Sequence, residues 1–156
     1  MAALLHDLKD HKYAKEGESA SRAIRQTLSG RCPEKLIERV IEIVASVSYS
    51  KEARGELDVS RMSLEARCVQ DADRLDAIGA VGIARCMAYS SRISRPLFVD
   101  SKQEANAQNH FHDKLLKLKS MMKTATGRAM AESRHHAMES FLESLGLELG
   151  DASSKS

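Results

Sequence analysis

The sequence predicts an all-α protein from three observations: helical spacing of apolar residues, few aromatic residues, and no convincing strand pattern. The helical spacing is clearest from Leu36 to Val47, where apolar residues recur every one or three positions and form one broad face. Pro33 suits the first turn of this helix, and Gly30 ends an earlier helix expected over about residues 17–29. Phe, Tyr and Trp make up only 4% of the chain, which disfavours a β-sandwich or barrel.

Length, charge and cysteine content narrow the class of protein. The 156 residues, 42% of them hydrophobic, predict one globular domain over residues 1–150 and a disordered tail over 151–156. A net charge of +2 is too small to favour binding to nucleic acid or to an anionic membrane surface. No membrane helix or signal peptide is evident. Three widely spaced cysteines without a CxxC pair predict reduced thiols and a cytoplasmic location; they are Cys32, Cys68 and Cys86.

Helical spacing also predicts three elements further along the chain, over residues 63–89, from Phe111 to Met122, and from Met130 to Leu145. The helix over 63–89 is apolar on two sides, so we expect it to be central and buried. Gly146 or Gly150 is expected to end the last helix. Two segments without a clear period, 48–62 and 90–102, predict loops.

His6 and Asp7 follow an apolar run, and with Asp73 on the predicted buried helix they suggest a divalent-metal site shared by two helices. Imidazole and carboxylate together suit Mn, Mg, Fe or Zn. Taken alone, such a pair is more often a half-buried histidine beside a solvated aspartate. Asp73 favours the metal, because an aspartate buried on an apolar helix needs a counter-charge. Asp76, one turn later, adds negative charge to the same face, whereas Asp71 faces away and has the ordinary role of a salt bridge or cap.

Other polar residues leave two readings open. Asp10, one turn beyond the His-Asp pair, is either a base that orients water or a solvated residue at a helix end. Lys12 either contacts a phosphate or faces water. His110 and Lys114 are i,i+4 neighbours that together suit a phosphate, although a single histidine is more often a core residue. Arg134 aligns with apolar residues of the last helix, so an anionic partner is expected.

Four motifs, in this order, closely resemble the HD-domain metal-dependent phosphohydrolases over essentially the whole chain. They are the apolar run ending in His6-Asp7, QDADRLDAIGA from Gln70, HFHDKLLKLK from His110, and AESRH from Ala131. The resemblance is to the small single-domain group and implies an all-helical HD fold with one divalent metal ion. It implies that His6 and Asp7 are the metal-binding doublet and Asp73 the distant aspartate. The family's first metal histidine lies upstream of the doublet, so we expect an N-terminally shortened fold with an incomplete ligand set.

The resemblance implies a phosphohydrolase acting on a nucleotide or another phosphate ester or anhydride. The similar nucleotide pyrophosphohydrolases split a (deoxy)nucleoside triphosphate into a monophosphate and pyrophosphate. A bound Mn, Mg or similar ion would lower the pKa of a water molecule, which Asp10 or Asp76 would orient. Cationic side chains expected to offset phosphate charge are Lys12, Arg74, His110, Lys114 and Arg134.

The rival hypothesis is a catalytically impaired HD fold that binds a nucleotide or a protein. A missing ligand would weaken metal affinity, because each ligand supplies charge and geometry. Apolar residues left uncovered in a shortened fold would favour a homo-oligomer.

Overall fold

The described residues form an all-helical fold without β-strands, which confirms the predicted class. The structure, a computed structural model, describes residues 1–8, 20–99 and 106–153, the last three as backbone. The α-helices within these ranges are α1 (Ala2–Leu5), α2 (Ala20–Leu28), α3 (Glu34–Ala45), α4 (Tyr49–Ala53), α5 (Leu64–Asp76), α6 (Gly79–Arg92), α7 (Ala107–Asp113) and α8 (Ala125–Ser153). Short 3-10 turns lie at Val59–Arg61, Leu115–Lys117 and Lys119–Met121. None of the helices in these ranges has both the length and the hydropathy that a membrane crossing requires.

The chain divides into two compact units, Met1–Asp73 and Arg74–Ser156, and the boundary between them falls within α5. A single domain over residues 1–150 stays a prediction. Of the predicted tail, residues 151–153 continue α8, and residues 154–156 lie outside the described ranges.

The first unit has its core on the apolar face of α3. Ile37 and Val40 of this helix are buried and belong to one hydrophobic cluster with Ile24 of α2 and Met62. Pro33 lies at the N-cap of α3, where its missing N–H costs no hydrogen bond. The helical spacing therefore predicted the buried positions Ile37 and Val40 correctly. Leu36, which it placed on the same face, is 42% exposed, and Ile43, which it left out, is buried.

The loop predicted over residues 48–62 contains two short helical elements, so this prediction is wrong in part. Ser48 caps α4, accepting a hydrogen bond from the Lys51 N–H at 3.4 Å. Asp58 caps the 3-10 turn after it, accepting from the Ser60 N–H at 3.0 Å. These elements are too short to show a hydrophobic period, and their caps hold them instead.

The second unit packs α6 against α8, with α7 beside α6. Phe111 of α7, Leu118 and Met138 of α8 are almost completely buried. The rings of Phe111 and Phe141 lie 5.9 Å apart between centroids in a tilted arrangement, a distance typical of favourable aromatic pairs. This contact ties α7 to α8.

The single central helix predicted over residues 63–89 is wrong, because the chain breaks between α5 and α6. Ile78 is extended, with φ −122° and ψ 167°, and Gly79 has a φ of +77°, which L side chains rarely adopt. A Cβ atom on Gly82 would collide with the Ala77 carbonyl oxygen, so the chain also needs a glycine there to turn back this closely. The helix α6 then runs to Arg92, into the predicted 90–102 loop, of which residues 100–105 lie outside the described ranges.

Two further helix boundaries differ from the predictions. The helix expected from Phe111 to Met122 is instead the end of α7 followed by two 3-10 turns, because Lys114 leaves helical geometry with φ −135° and ψ −59°. The last helix continues past Gly146 and Gly150 to Ser153. A glycine weakens a helix without ending it, and nothing approaches either glycine closely enough to force a turn.

Replacing Gly82 with alanine tests the close turn between α5 and α6. We expect Gly82→Ala to lower the free energy of unfolding by about 1–3 kcal/mol, as in other overpacked sites, because the added methyl group meets backbone. Gly146→Ala is the matched control, since a methyl group there meets nothing and should stabilise α8 by ~0.5–1 kcal/mol. Urea-induced unfolding of each variant measures its change in the free energy of unfolding. Equal effects of the two substitutions would contradict the turn described here.

Candidate functional site

His6 lies at the C-terminal end of α1, with helical backbone angles of φ −64° and ψ −31°. Its Nδ1 atom is 2.8 Å from the Ala3 carbonyl oxygen. A carbonyl can only accept, so Nδ1 carries a proton whether the ring is charged or neutral, and Nε2 has a free lone pair only when the ring is neutral. Ala2 is buried in the core of the first unit and Leu5 packs against it, so the short helix α1 is anchored on the α3 side.

The structure brings His6 together with two carboxylates. The Nε2 atom lies 3.3 Å from Oδ2 of Asp7 and 3.3 Å from Oδ1 of Asp73, on α5. Asp73 is 67 positions away in the chain, so the proximity is produced by the packing of the first unit. His6, Asp7 and Asp73 are the residues that the resemblance implied as metal ligands.

The burial of these aspartates differs from the prediction. The side chain of Asp73 is 41% exposed, whereas Asp71 is only 3% exposed. The buried side of α5 therefore includes Asp71, and the argument that Asp73 needs a counter-charge because it is buried was wrong. An exposed Asp73 is instead accessible to an ion or substrate from solvent.

The two carboxylates change the protonation of His6. Partial burial lowers the pKa of the imidazole, but the hydrogen bond to Ala3 and the charges of Asp7 and Asp73 together outweigh it and raise the pKa above 6.5. The folded protein thus binds this proton more tightly than the unfolded chain. The resulting stabilisation is present below pH ~6.5 and is lost as the pH rises through the raised pKa.

The three side chains are of donor types that bind a divalent ion, and the distances from Nε2 to the two carboxylates are compatible with one. Two donors bound to one ion at about 2.1 Å and ~90–110° apart would lie about 3.0–3.4 Å from each other, which includes the 3.3 Å from Nε2 to each carboxylate. Within the described residues, however, no group of three or more His, Cys, Asp or Glu side chains is arranged to hold an ion as it stands. In this structure Nε2 faces the carboxylates directly and forms a hydrogen bond with Asp73 Oδ1 at 3.3 Å.

Of the two residues predicted to orient water, the structure describes only Asp76. Asp10 lies outside the described residues, as does Lys12 among the predicted phosphate contacts. Asp76, the last residue of α5, forms an ion pair with Arg85 of α6, and both side chains are exposed. Its role in catalysis stays a prediction.

The two arginines predicted to contact phosphate both donate to backbone carbonyls in the second unit. Arg74 is 2% exposed and donates from Nη1 to the Met121 carbonyl oxygen at 2.6 Å. Arg134 donates from Nη1 to the Leu75 carbonyl oxygen, in the last turn of α5. The last carbonyls of a helix lack partners within it, and the side chain of Arg134 caps α5 at one of them. The partner of Arg134 is thus a backbone carbonyl, where an anionic side chain was expected.

His110 and Lys114 lie one helical turn apart, as predicted, and a backbone hydrogen bond joins them. The Lys114 N–H donates to the His110 carbonyl oxygen at 3.1 Å, although α7 ends at Asp113. His110 and Lys114 are both half-buried. Their joint contact with a phosphate stays a prediction.

Comparisons with known proteins show the family to which the chain belongs. Residues 1–78 match the family model of the HD domain. The chain is 42% identical to YpgQ, an uncharacterised protein of Bacillus subtilis, over 145 residues that cover 92% of this chain and 68% of that protein. The chain belongs to the HD-domain phosphohydrolase superfamily. The resemblance noted in the sequence is thereby confirmed.

Solved structures of this superfamily have the same fold. The crystal structure of YpgQ superposes with a TM-score of 0.76 at 38% identity, covering 94% of this chain and 73% of that chain. An HD-superfamily hydrolase from Bacillus thuringiensis superposes with a TM-score of 0.70 at 36% identity, covering 96% and 71%. YpgQ has also been crystallised in complex with ADP; that structure matches at 37% identity with a TM-score of 0.74, covering 94% and 71%.

Removing the charge of Asp73 tests the contact with His6. In the metal-free protein, Asp73→Asn is expected to lower the pKa of His6, because one of the two carboxylates that favour the imidazolium is lost. A proton NMR titration of the His6 ring in the parent protein and the variant measures this pKa. Glu42→Gln, an equal charge change at an exposed position of α3, should leave this pKa unaltered. A His6 pKa unaffected by Asp73→Asn would contradict the contact.

Proposed function

We propose that the protein is a metal-dependent phosphohydrolase that splits (deoxy)nucleoside triphosphates into monophosphate and pyrophosphate. The observation that carries the proposal is the convergence of His6 Nε2 on the carboxylates of Asp7 and Asp73, at 3.3 Å each. Membership of the HD-domain phosphohydrolase superfamily supports the reaction class. The choice of a nucleotide is supported by the complex of the related YpgQ with ADP.

His6, Asp7 and Asp73 would hold one divalent ion such as Mn²⁺ or Mg²⁺. When bound, such an ion activates water for attack and polarises a phosphoryl oxygen. The Ala3 carbonyl keeps the proton on Nδ1 of His6, so that Nε2 offers its lone pair. Asp7 and Asp73 supply two negative charges at the site, and their exposure leaves them accessible from solvent.

Water attacks the α-phosphorus, and the bond from that phosphorus to the bridging oxygen breaks, so that pyrophosphate leaves. The proton of the attacking water passes to a carboxylate, for which we propose Asp10 or Asp76. Asp76 would have to exchange its ion pair with Arg85 for this contact. Both partners are exposed, so breaking this ion pair would cost little free energy, because surface ion pairs contribute little to stability.

The cationic residues would offset the charge of the phosphates. His110 and Lys114 suit this role because they lie one turn apart, joined by the backbone hydrogen bond between them. Lys12 would have the same role, for which its positive charge and its place in the sequence after the His-Asp pair are the support. Arg74 and Arg134 donate to backbone carbonyls, so each would either contact phosphate as well or stabilise the fold instead.

The test is hydrolysis by Mn²⁺-loaded protein, with an assay that separates pyrophosphate from free phosphate. Asp73→Ala should lower the rate by more than the ~10–100-fold that outer-shell substitutions typically cost, because it removes a ligand and a charge from the site. Glu42→Ala, on an exposed carboxylate of α3, is the matched control and should retain the rate.

The products distinguish the alternatives. Pyrophosphate release supports the proposal, and release of free phosphate alone would replace it with a phosphatase. Nucleotide binding without turnover at any metal concentration would overturn it in favour of a binding module.

A further inference from the structure

We propose that Gln70 is a positioning residue that holds the metal-ligand pair His6 and Asp73 in register. This inference rests on the proposed function. Gln70 is 0% exposed and lies on α5, one helical turn before Asp73. Its Nε2 donates a hydrogen bond to the Ser46 carbonyl oxygen at 3.0 Å. The amide therefore links the helix that carries Asp73 to the end of α3.

The acceptor is itself held firmly. Ser46 is the C-cap of α3, and its backbone N–H lies in hydrogen-bonding geometry to the carbonyl oxygens of Ile43 and Val44. Its hydroxyl donates to the Ile43 carbonyl oxygen at 2.7 Å. A carbonyl fixed by the cap of its own helix defines both the distance and the direction of the bond from Gln70.

The same helix α3 supports His6 from the other side. Ala2 and Leu5 of α1 share a hydrophobic cluster with Ile37 and Val40 of α3, and His6 follows α1 directly. The path from one ligand to the other thus runs from His6 through α1 to α3, then through the Ser46–Gln70 hydrogen bond to α5. Within the described residues, the Gln70 hydrogen bond is the step of this path that joins the side chain of one helix to the backbone at the end of the other.

Stability alone does not explain a glutamine at this position. Its Oε1 atom is buried and has no hydrogen-bond partner among the described residues. An amide oxygen buried in this way disfavours the folded state, and a methionine of similar length would avoid that cost. What the amide offers instead is a directional bond, which an apolar side chain cannot supply.

A second link between α3 and α5 gives a matched comparison. Arg39 of α3 donates from Nη2 to Glu65 of α5 at 3.4 Å, and both side chains are exposed. Exposed pairs of this kind hold geometry weakly. If any link between the two helices sufficed, loss of Arg39 would affect Asp73 as much as loss of Gln70.

The experiment measures the Mn²⁺ dissociation constant of the full chain by calorimetry, and separately the melting temperature of the metal-free protein. We expect Gln70→Met to weaken Mn²⁺ binding about tenfold, as outer-shell substitutions do, with a small change in melting temperature. Arg39→Met and Leu118→Val, a substitution in the core of the second unit, should stay within about twofold of the wild-type constant, the latter despite a lower melting temperature.

Two further readouts keep the test decisive. In a crystal structure of metal-free Gln70→Met, the distance from His6 Nε2 to Asp73 Oδ1 should exceed the 3.3 Å of the parent. If Gln70→Met does not fold, Gln70→Asn keeps the amide but is one methylene too short to reach Ser46, and should weaken Mn²⁺ binding similarly.

Wild-type affinity in folded Gln70 variants would overturn this inference while leaving the proposed function intact. Absence of Mn²⁺ binding by the wild-type chain would overturn the proposed function, and the inference with it.

Discussion

The contact on which the site depends is the hydrogen bond from Nδ1 of His6 to the Ala3 carbonyl oxygen. It is made within one turn of helix, so it survives any movement of α1 as a whole. Because it keeps one proton on Nδ1, the second proton of the imidazolium lies on Nε2 and faces Asp7 and Asp73. A helix of four residues is too short to be stable alone, so the direction of the ring is set by the packing of Ala2 and Leu5 on the first unit's core.

Among the described residues, backbone carbonyls accept hydrogen bonds from three side chains that are buried or half-buried. Gln70 donates to Ser46 in the first unit, while in the second Arg74 donates to Met121 and Arg134 caps α5 at Leu75. Helix ends and turns leave carbonyls without partners, and long side chains from other elements satisfy them. A guanidinium that aligns with apolar residues in the sequence therefore need not indicate an anion, either in the protein or in a substrate.

Much of the fold was predictable, since α3 and α8 show clear helical spacing and the resemblance singled out His6, Asp7 and Asp73. The buried side of α5 was not predictable in this way. It includes Ala66 and Leu75 together with three polar residues, Gln70, Asp71 and Arg74. A pattern of apolar residues alone therefore misplaced the helix face. The break at Gly79 was also missed, because a positive φ depends on close backbone packing that helical spacing does not record.

At the proposed metal site, the cluster around His6 would couple proton binding to metal binding. Without a metal, the two carboxylates favour the imidazolium, which donates from both ring nitrogens, to Ala3 and to Asp73. A divalent ion needs the same Nε2 atom unprotonated, so ion and proton compete for one position. The charges that attract the ion are thus the ones that retain the proton, and affinity for the ion must fall as the pH drops below the raised pKa of His6. The exposure of Asp7 and Asp73 lets solvent screen their charge, which limits how strongly the carboxylates can favour either occupant.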